Sequence, residues 1–146
     1  MPELVHAPDP HQHKPKLTFE SAIVGEELAT YEYVLTGEDI ERYRRSVRDP
    51  EARFPTIAIK NDATALEMKY DAGPGINARQ AVEFFNPPTP GKRIRVTGKL
   101  IDKYVRRGKP YIVNQATAMD EDGRLIERTT TWRMCKTEEV GKKWGE

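Results

Sequence analysis

The chain has 146 residues, of which 37% are hydrophobic and 32% are charged, and its formal net charge is +1. This length predicts one domain with a substantial core. The near-neutral charge gives no general attraction to nucleic acid or to anionic membranes. No apolar run approaches the ~18 residues of a membrane span, and the N-terminus lacks the basic-then-apolar order of a secretion signal. The single cysteine, Cys135, has no internal disulfide partner, which is typical of a reduced cytoplasmic location.

The beginning of the chain predicts a flexible arm. Residues 1–16 contain four prolines and all three histidines but little apolar material, so they cannot bury enough surface to fold alone. His11 and His13 form a His-x-His pair, which without carboxylate or thiol neighbours is a poor ligand set for a metal. We therefore expect no metal site, one domain over residues 17–136 and a charged tail over residues 137–146.

Two helices are predicted in the first half of the domain. Residues 30–35 alternate as a strand, and Thr36 followed by Asp39 resembles a capping box at the start of a helix. A second helix is predicted over residues 61–71, where small and apolar side chains share one face and Ala-Gly-Pro-Gly follows. Asn61 is a natural N-cap for this helix. The small residues suit a helix that packs closely against a sheet.

The second half of the chain predicts β structure. Four runs have strand character, and the turn signals Arg-Arg-Gly-Lys and Asp-Glu-Asp-Gly separate the last three. The expected strands are residues 79–86, 92–105, 109–119 and 123–134. Links this short join antiparallel neighbours. We therefore expect an α+β fold in which a four-stranded antiparallel meander wraps around the second helix.

Several of these motifs occur together in a known family. The stiff sequence Asn-Pro-Pro-Thr-Pro-Gly at residues 86–91, the long strand after it, the Arg-Arg-Gly-Lys turn and the final hairpin resemble the second half of MaoC-like dehydratases and hydratases. Residues 24–43 resemble the opening of the same proteins. The resemblance spans about residues 19–134 and implies a single hot-dog domain, in which the sheet wraps around a central helix. It also implies a coenzyme A thioester as substrate or ligand, no further cofactor, and side-by-side dimers.

The acid–base loop of this family is not matched here. The family usually supplies an Asp and a His from a D-x-N-P-x-H loop, and the corresponding sequence in this chain is Val-Arg-Asp-Pro-Glu-Ala. Val47 then replaces the Asp and Ala52 replaces the His. A sibling group places its histidine later in the chain, where Asn77 stands here, and the sequence has no histidine beyond His13.

Other polar residues are the remaining candidates for chemistry. Asp49 can act as a base only if the loop is shifted, and otherwise fits a cap or a turn. Asp62 opens the second helix, and Asn77 can orient a water molecule or an acyl group. The resemblance implies that backbone amides near Asn61 hold the thioester oxygen. For a thioesterase, Asp62 or Glu67 is the candidate carboxylate.

Basic residues are candidates for binding the phosphates of coenzyme A. Lys92 directly follows the proline-rich corner, and Arg106, Arg107 and Lys109 are concentrated in one turn. Arginine pairs well with phosphate, although a solvated basic hairpin explains the same pattern. Cys135 has no histidine to activate it and is expected to be inert.

These observations favour one function and leave two others open. The loss of the histidine favours an acyl-thioester-binding subunit without its own acid–base pair, which forms a homodimer or pairs with an active homologous chain. The first alternative is an active hydratase or dehydratase with an atypical acid–base set. The second is a hot-dog thioesterase that uses a carboxylate with water.

Overall fold

The computed structural model describes residues 3–53, 61–73 and 75–135, which form two helices and six strands. In chain order the elements are β1 (Glu3–His6), β2 (Tyr31–Val34), α1 (Gly37–Val47), α2 (Asn61–Lys69), β3 (Ile76–Phe84), β4 (Arg93–Arg106), β5 (Lys109–Asp120) and β6 (Leu125–Met134). The predicted charged tail lies outside the described residues. Within the described residues, neither helix is long and apolar enough to cross a membrane.

Helix α1 begins at the capping box that the sequence predicts. The Thr36 hydroxyl accepts a hydrogen bond from the Asp39 backbone N–H at 3.1 Å, and the Asp39 carboxylate accepts one from the Thr36 N–H at 2.9 Å. These bonds satisfy backbone donors that have no partner inside the helix. The helix ends at Val47, because the next residue, Arg48, has a left-handed φ of 56° that does not continue the helix.

The six strands form one sheet in the order β1-β2-β4-β5-β6-β3, and every neighbouring pair is antiparallel. The short turns after β4 and β5 give the expected meander of β4, β5 and β6. The prediction of a four-stranded meander is wrong for β3, which lies against β6 at the far edge, with Ile76 opposite Met134 and Phe84 opposite Glu127. A rigid corner, not a hairpin turn, separates β3 from β4, so the two strands are not forced to pair.

The proline-rich corner carries the chain from β3 past the turn between β5 and β6. Asn86 donates its side-chain N–H to the Leu125 carbonyl at 2.8 Å, and the Lys92 ammonium lies 2.9 Å from the Asp122 carboxylate on that turn. Between these two anchors, the three prolines of residues 87–90 fix the backbone and offer no N–H for strand pairing. The chain therefore crosses the end of the β5–β6 hairpin at this corner and then enters β4.

The N-terminal segment differs from its prediction. Residues 3–6 form β1 and pair with β2, and the Lys14 ammonium donates to the Glu67 carbonyl near the end of α2 at 2.9 Å. The prediction of a flexible arm over residues 1–16 is therefore wrong for these residues. Low apolar content does not prevent this pairing, because β2 offers a strand edge whose backbone groups need partners.

Helix α2 packs across β4, β5 and β6. Its residues Ala65 and Leu66 are fully buried. Gly98 on β4 makes this close approach possible, because a Cβ at that position would lie 3.1 Å from the Ala65 Cβ. The predicted central helix, packed closely against an antiparallel sheet, is confirmed. The architecture is an α+β hot-dog domain.

Candidate functional site

A buried group of polar side chains, which we call the carboxyl network, lies between α2 and the sheet. Its members are Tyr31 on β2, Asn61 and Asp62 on α2, Asn114 on β5, and Glu127 and Thr129 on β6. The carboxyls of Asp62 and Glu127 are 0% and 1% exposed. Carboxyl groups are almost never buried this deeply unless they are paired, so their partners decide what the network can do.

Hydrogen bonds connect both carboxyls to amide side chains. The Tyr31 hydroxyl donates to Asn61 Oδ1 at 2.9 Å, and Asn61 Nδ2 donates to Glu127 Oε1. On the other side of the network, Asn114 Nδ2 donates to Asp62 Oδ2 at 3.2 Å. Each carboxyl is thus held by one asparagine, and the two carboxyls come from different elements, α2 and β6.

Burial determines the protonation of both carboxyls. Burial and the neighbouring charge of Asp62 raise the pKa of Glu127 to about 8. Burial also raises the pKa of Asp62, although the nearby Thr131 and Thr129 hydroxyls act in the opposite direction. The raised pKa favours the protonated form of the Glu127 carboxyl near neutral pH, and this form can donate a hydrogen bond as well as accept one. Among the described residues, no ion pair involves either carboxyl.

The start of α2 is where the resemblance places the donors for a thioester oxygen. In the structure, the Asp62 backbone N–H donates to the Thr129 hydroxyl at 3.2 Å. The prediction that Asn61 is an N-cap is wrong: Asn61 is the first residue of the helix, and its side chain binds Tyr31 and Glu127. The hydrogen bonds that Asn61 makes with two buried groups stabilise the fold more than one hydrogen bond at an exposed N-cap would.

The positions matched to the family's acid–base loop lie at the surface. Val47 is 45% exposed, and Asp49 is exposed and accepts a hydrogen bond from the Glu51 N–H at 2.9 Å, as in a turn. Asn77 is exposed on β3, opposite Arg133. No hydrogen bond between described residues joins any of these positions to the carboxyl network. Of the three catalytic candidates, only Asp62 is therefore part of the buried site.

The basic candidates also lie away from the carboxyl network. Lys92 is paired with an aspartate on the turn between β5 and β6. Arg106 and Arg107 are exposed at the turn between β4 and β5, and Lys109 is the first residue of β5. Five positions separate Lys109 from Asn114 on the same strand, which is about 17 Å of extended chain. Within one chain, these cations and the carboxyls do not form a single site.

Two further candidates play no part in the network. Glu67 is exposed on α2, as expected for a surface residue. Cys135 is buried, and its Sγ donates to the Pro110 carbonyl at 3.8 Å. Burial raises the pKa of this thiol to about 12, so it is a poor nucleophile at neutral pH.

Glu127, Asn114 and Tyr31 are site residues that the sequence candidates do not include. Along β6 the run Glu-Arg-Thr-Thr-Thr is polar on both faces of the strand, so alternation does not reveal which face is buried. Asn114 did carry a usable signal, because it stands among apolar residues on the inward face of β5. A polar side chain at such a position indicates a buried hydrogen-bond partner.

Solved structures share this architecture, although no family model and no curated protein matches the sequence. A monoamine oxidase regulatory protein from Archaeoglobus fulgius superposes with a TM-score of 0.69 at 17% identity, over 86% of this chain and 97% of that one. A MaoC-like dehydratase from Rhodospirillum rubrum superposes with a TM-score of 0.62 at 14% identity, over 82% of this chain and 97% of that one.

A third similar structure is the HadBC complex, a 3R-hydroxyacyl-ACP dehydratase from Mycobacterium tuberculosis. Its TM-score is 0.61 at 16% identity, over 78% of this chain and 98% of that chain. These likenesses confirm the hot-dog fold of MaoC-like dehydratases, the class that the sequence resembles. At identities of 14–17% they describe the fold, and the chemistry has to be judged from the residues of this chain.

Proposed function

We propose that this chain is a subunit of a MaoC-like acyl-thioester hydratase or dehydratase, which binds the thioester and leaves the acid–base chemistry to a homologous partner chain. The absence of the histidine carries this proposal. The sequence has no histidine beyond His13, and Val47 and Ala52 stand where the family has its Asp and His. Hydration of an enoyl thioester needs groups that give and take a proton, and neither valine nor alanine can.

Among the described strands β3 is an edge of the sheet, which supports pairing with a partner chain. This strand is the last of the sheet and has nine residues, whereas β1 at the opposite edge has four and an irregular register. Ile76, Phe84 and Phe85 on or beside β3 are 38%, 47% and 41% exposed. A long edge strand with exposed apolar side chains is a template for pairing. A second MaoC-like chain, or a second copy of this one, fits against it, and the similar HadBC structure is a complex.

The ligand in this proposal is a coenzyme A thioester. Arg106 and Arg107 are exposed at one turn, where their guanidinium groups are available to phosphate oxygens. No further cofactor is required by the proposed role, and a cytoplasmic location stays a prediction.

An active enzyme that uses the carboxyl network is the second candidate. A protonated Glu127 with a pKa of about 8 has the acidity that a general acid needs near neutral pH. Its complete burial argues against this role, because a thioester reaches Glu127 or Asp62 only if α2 moves away from the sheet.

A turnover assay tests the proposal and separates the candidates. The purified chain is given enoyl-CoA esters from crotonyl-CoA upward, alone and mixed with a MaoC-like chain that carries the D-x-N-P-x-H motif. We expect the lone chain to bind the esters without turnover, because each missing acid–base group is worth about 10²- to 10⁴-fold in rate. The mixture is expected to hydrate them. Light scattering at micromolar concentration is expected to report dimers.

Two results would contradict the proposal. Turnover by the lone chain at about 10 per second, a typical enzyme rate, contradicts the proposal. If Glu127→Gln then abolishes this turnover while Glu83→Gln does not, the carboxyl network is the active site. A strictly monomeric chain in light scattering, with and without the second chain, argues against the paired subunit.

A further inference from the structure

Three oxygen atoms of the carboxyl network have no hydrogen-bond partner among the described residues. Asp62 accepts from Asn114 through Oδ2, and Glu127 accepts from Asn61 through Oε1. In the described part of the chain, the second oxygen of each carboxyl, Asp62 Oδ1 and Glu127 Oε2, is buried without a partner, and so is Asn114 Oδ1. An unpaired buried polar atom costs about 1–3 kcal/mol, and more when it is charged. Such atoms are rare in native proteins, so three in one network need an explanation.

A single added proton accounts for the two carboxyl oxygens but leaves Asn114 Oδ1 without a donor. An ionised carboxyl is an acceptor only, whereas a protonated carboxyl is also a donor. One proton on the Asp62–Glu127 pair therefore removes one of two buried like charges and adds one O–H donor to a network with unpaired acceptor oxygens. The Tyr31 hydroxyl cannot supply it, because it already donates to Asn61. Two carboxyls that share a buried site do not both ionise readily.

Among the described residues, no positive charge faces the pair and stabilises its fully ionised form. The polar groups that face the pair are Asn61 on α2, Tyr31 and Tyr33 on β2, Asn114 on β5, and Thr129 and Thr131 on β6. Burial raises the pKa of both tyrosines far above its usual range, so both stay neutral. The inward residues of β4 are apolar or glycine, and the β3 carboxylate Glu83 is exposed beside Arg128.

We propose that Asp62 and Glu127 hold one proton in common, and that this proton is a pH-dependent latch between α2 and β6. With the proton in place, the pair carries one negative charge instead of two, and the polar contact between α2 and β6 is stable. Without it, two negative charges face each other at the start of α2, and the helix loosens from the sheet.

The direction of the pH effect follows from linkage. The pKa of Glu127 is raised from 4.5 to about 8 in the folded chain, by burial and by Asp62. The folded chain therefore binds the proton more tightly, and the stabilisation is complete below pH 4.5 and is lost as the pH rises to about 8. For one proton the unfolding equilibrium constant rises by at most about tenfold per pH unit. Because the two carboxyls are coupled, the midpoint belongs to the pair.

The latch has a consequence for the ligand that rests on the proposed function. Helix α2 begins at Asn61, and the resemblance implies that the donors to the thioester oxygen lie near this start. If α2 loosens at alkaline pH, the affinity for acyl-CoA falls in the same pH range. The titration of the latch itself needs no ligand and can be measured separately.

The decisive variant is Glu127→Gln, which replaces the shared proton with a permanent amide donor of the same shape. The matched control is Glu83→Gln, on the neighbouring strand β3, where the side chain is 55% exposed. Urea unfolding is followed from pH 6 to 9.5. We expect the wild type and the control to lose stability as the pH rises, and Glu127→Gln to have a much smaller slope. An equal slope in all three chains overturns the proposal.

A second measurement uses the wild-type chain alone, in case Glu127→Gln does not fold. Carbon-13 NMR of the side-chain carboxyls, assigned through bonds, is expected to show Glu127 titrating near pH 8, and amide exchange is expected to accelerate in α2 beyond the intrinsic effect of pH. Titration of Glu127 near its usual pH of 4.5 refutes the latch. If the titration is as expected but acyl-CoA does not bind at pH 7, the proposed function fails and the latch stands.

Discussion

Two regions of this chain carry carboxyls suited to acid–base chemistry, and their surroundings are opposite. In the loop after α1, Asp49 is exposed and hydrogen-bonded only within its own turn. In the carboxyl network, Asp62 and Glu127 are buried and held by asparagines from α2 and β5. The same functional group is therefore in contact with solvent in one place and enclosed beside a second carboxyl in the other.

The comparison shows what a sequence match can and cannot locate. The resemblance to the family's catalytic loop points to the surface, where this chain has Val47 and Ala52 at the positions of the Asp and His. The raised pKa values belong to carboxyls beside the central helix, where the resemblance implies only backbone donors. Burial and pairing, rather than the position in a motif, decide which carboxyls keep a proton at neutral pH.

The sharpest test of this contrast removes one side chain from each region. Asn61→Ala is expected to lower the free energy of unfolding by about 2–3 kcal/mol, because Tyr31 and Glu127 both lose a buried partner. Asp49→Ala is expected to change it by less than about 0.5 kcal/mol, as is usual at the surface. Urea unfolding at pH 7 measures both, and similar losses for the two variants contradict the contrast.

A smaller effect tests how tightly the sheet holds α2 beside the network. Gly98→Ala places a methyl group 3.1 Å from the Ala65 Cβ and 3.3 Å from the Leu28 Cβ, and this overpacking is expected to cost about 1–3 kcal/mol. Gly37→Ala on α1 is the control, because nothing lies within 4 Å of its new Cβ. Thermal unfolding is expected to show a lower midpoint for the first variant only. An unchanged midpoint for Gly98→Ala indicates that α2 shifts easily.

The smallest expected effect tests whether the two regions are independent. Thr36→Ala removes the capping box of α1 and is expected to cost about 1 kcal/mol. Amide exchange followed by NMR is expected to accelerate in the first turn of α1 and to stay unchanged in α2. Acceleration in both helices indicates that the surface loop and the carboxyl network share one cooperative unit.

Local signals made most of the fold predictable. The Thr36–Asp39 capping box and the turns of the β4–β5–β6 meander are each encoded within a few residues, and the structure confirms them. The pairing of β3 with β6 and of β1 with β2 is not local. Ile76 finds its partner at Met134, and no short stretch of sequence encodes a contact over that separation.

The residues of the site also divide into those that local signals indicate and those that depend on strand pairing. Asn61 and Asp62 could be predicted because the start of a helix is a local feature. Glu127 and Asn114 required the register of β5 and β6, since a shift by one residue turns each side chain to the other face. The raised pKa of Glu127 required one step more, namely the knowledge that Asp62 lies near it.

The position of β3 beside β6 also sets the order in which the chain can assemble. The meander closes through short turns, so it can form quickly, whereas β3 must wait for a partner that is made much later. At synthesis rates of about 5–20 residues per second, a new chain spends several seconds with β3 and the Ala65–Leu66 face of α2 uncovered. During that interval β3 is exposed to pairing with a strand of another chain. The timing of translation, and not only the stability of the finished fold, therefore affects whether β3 pairs with β6.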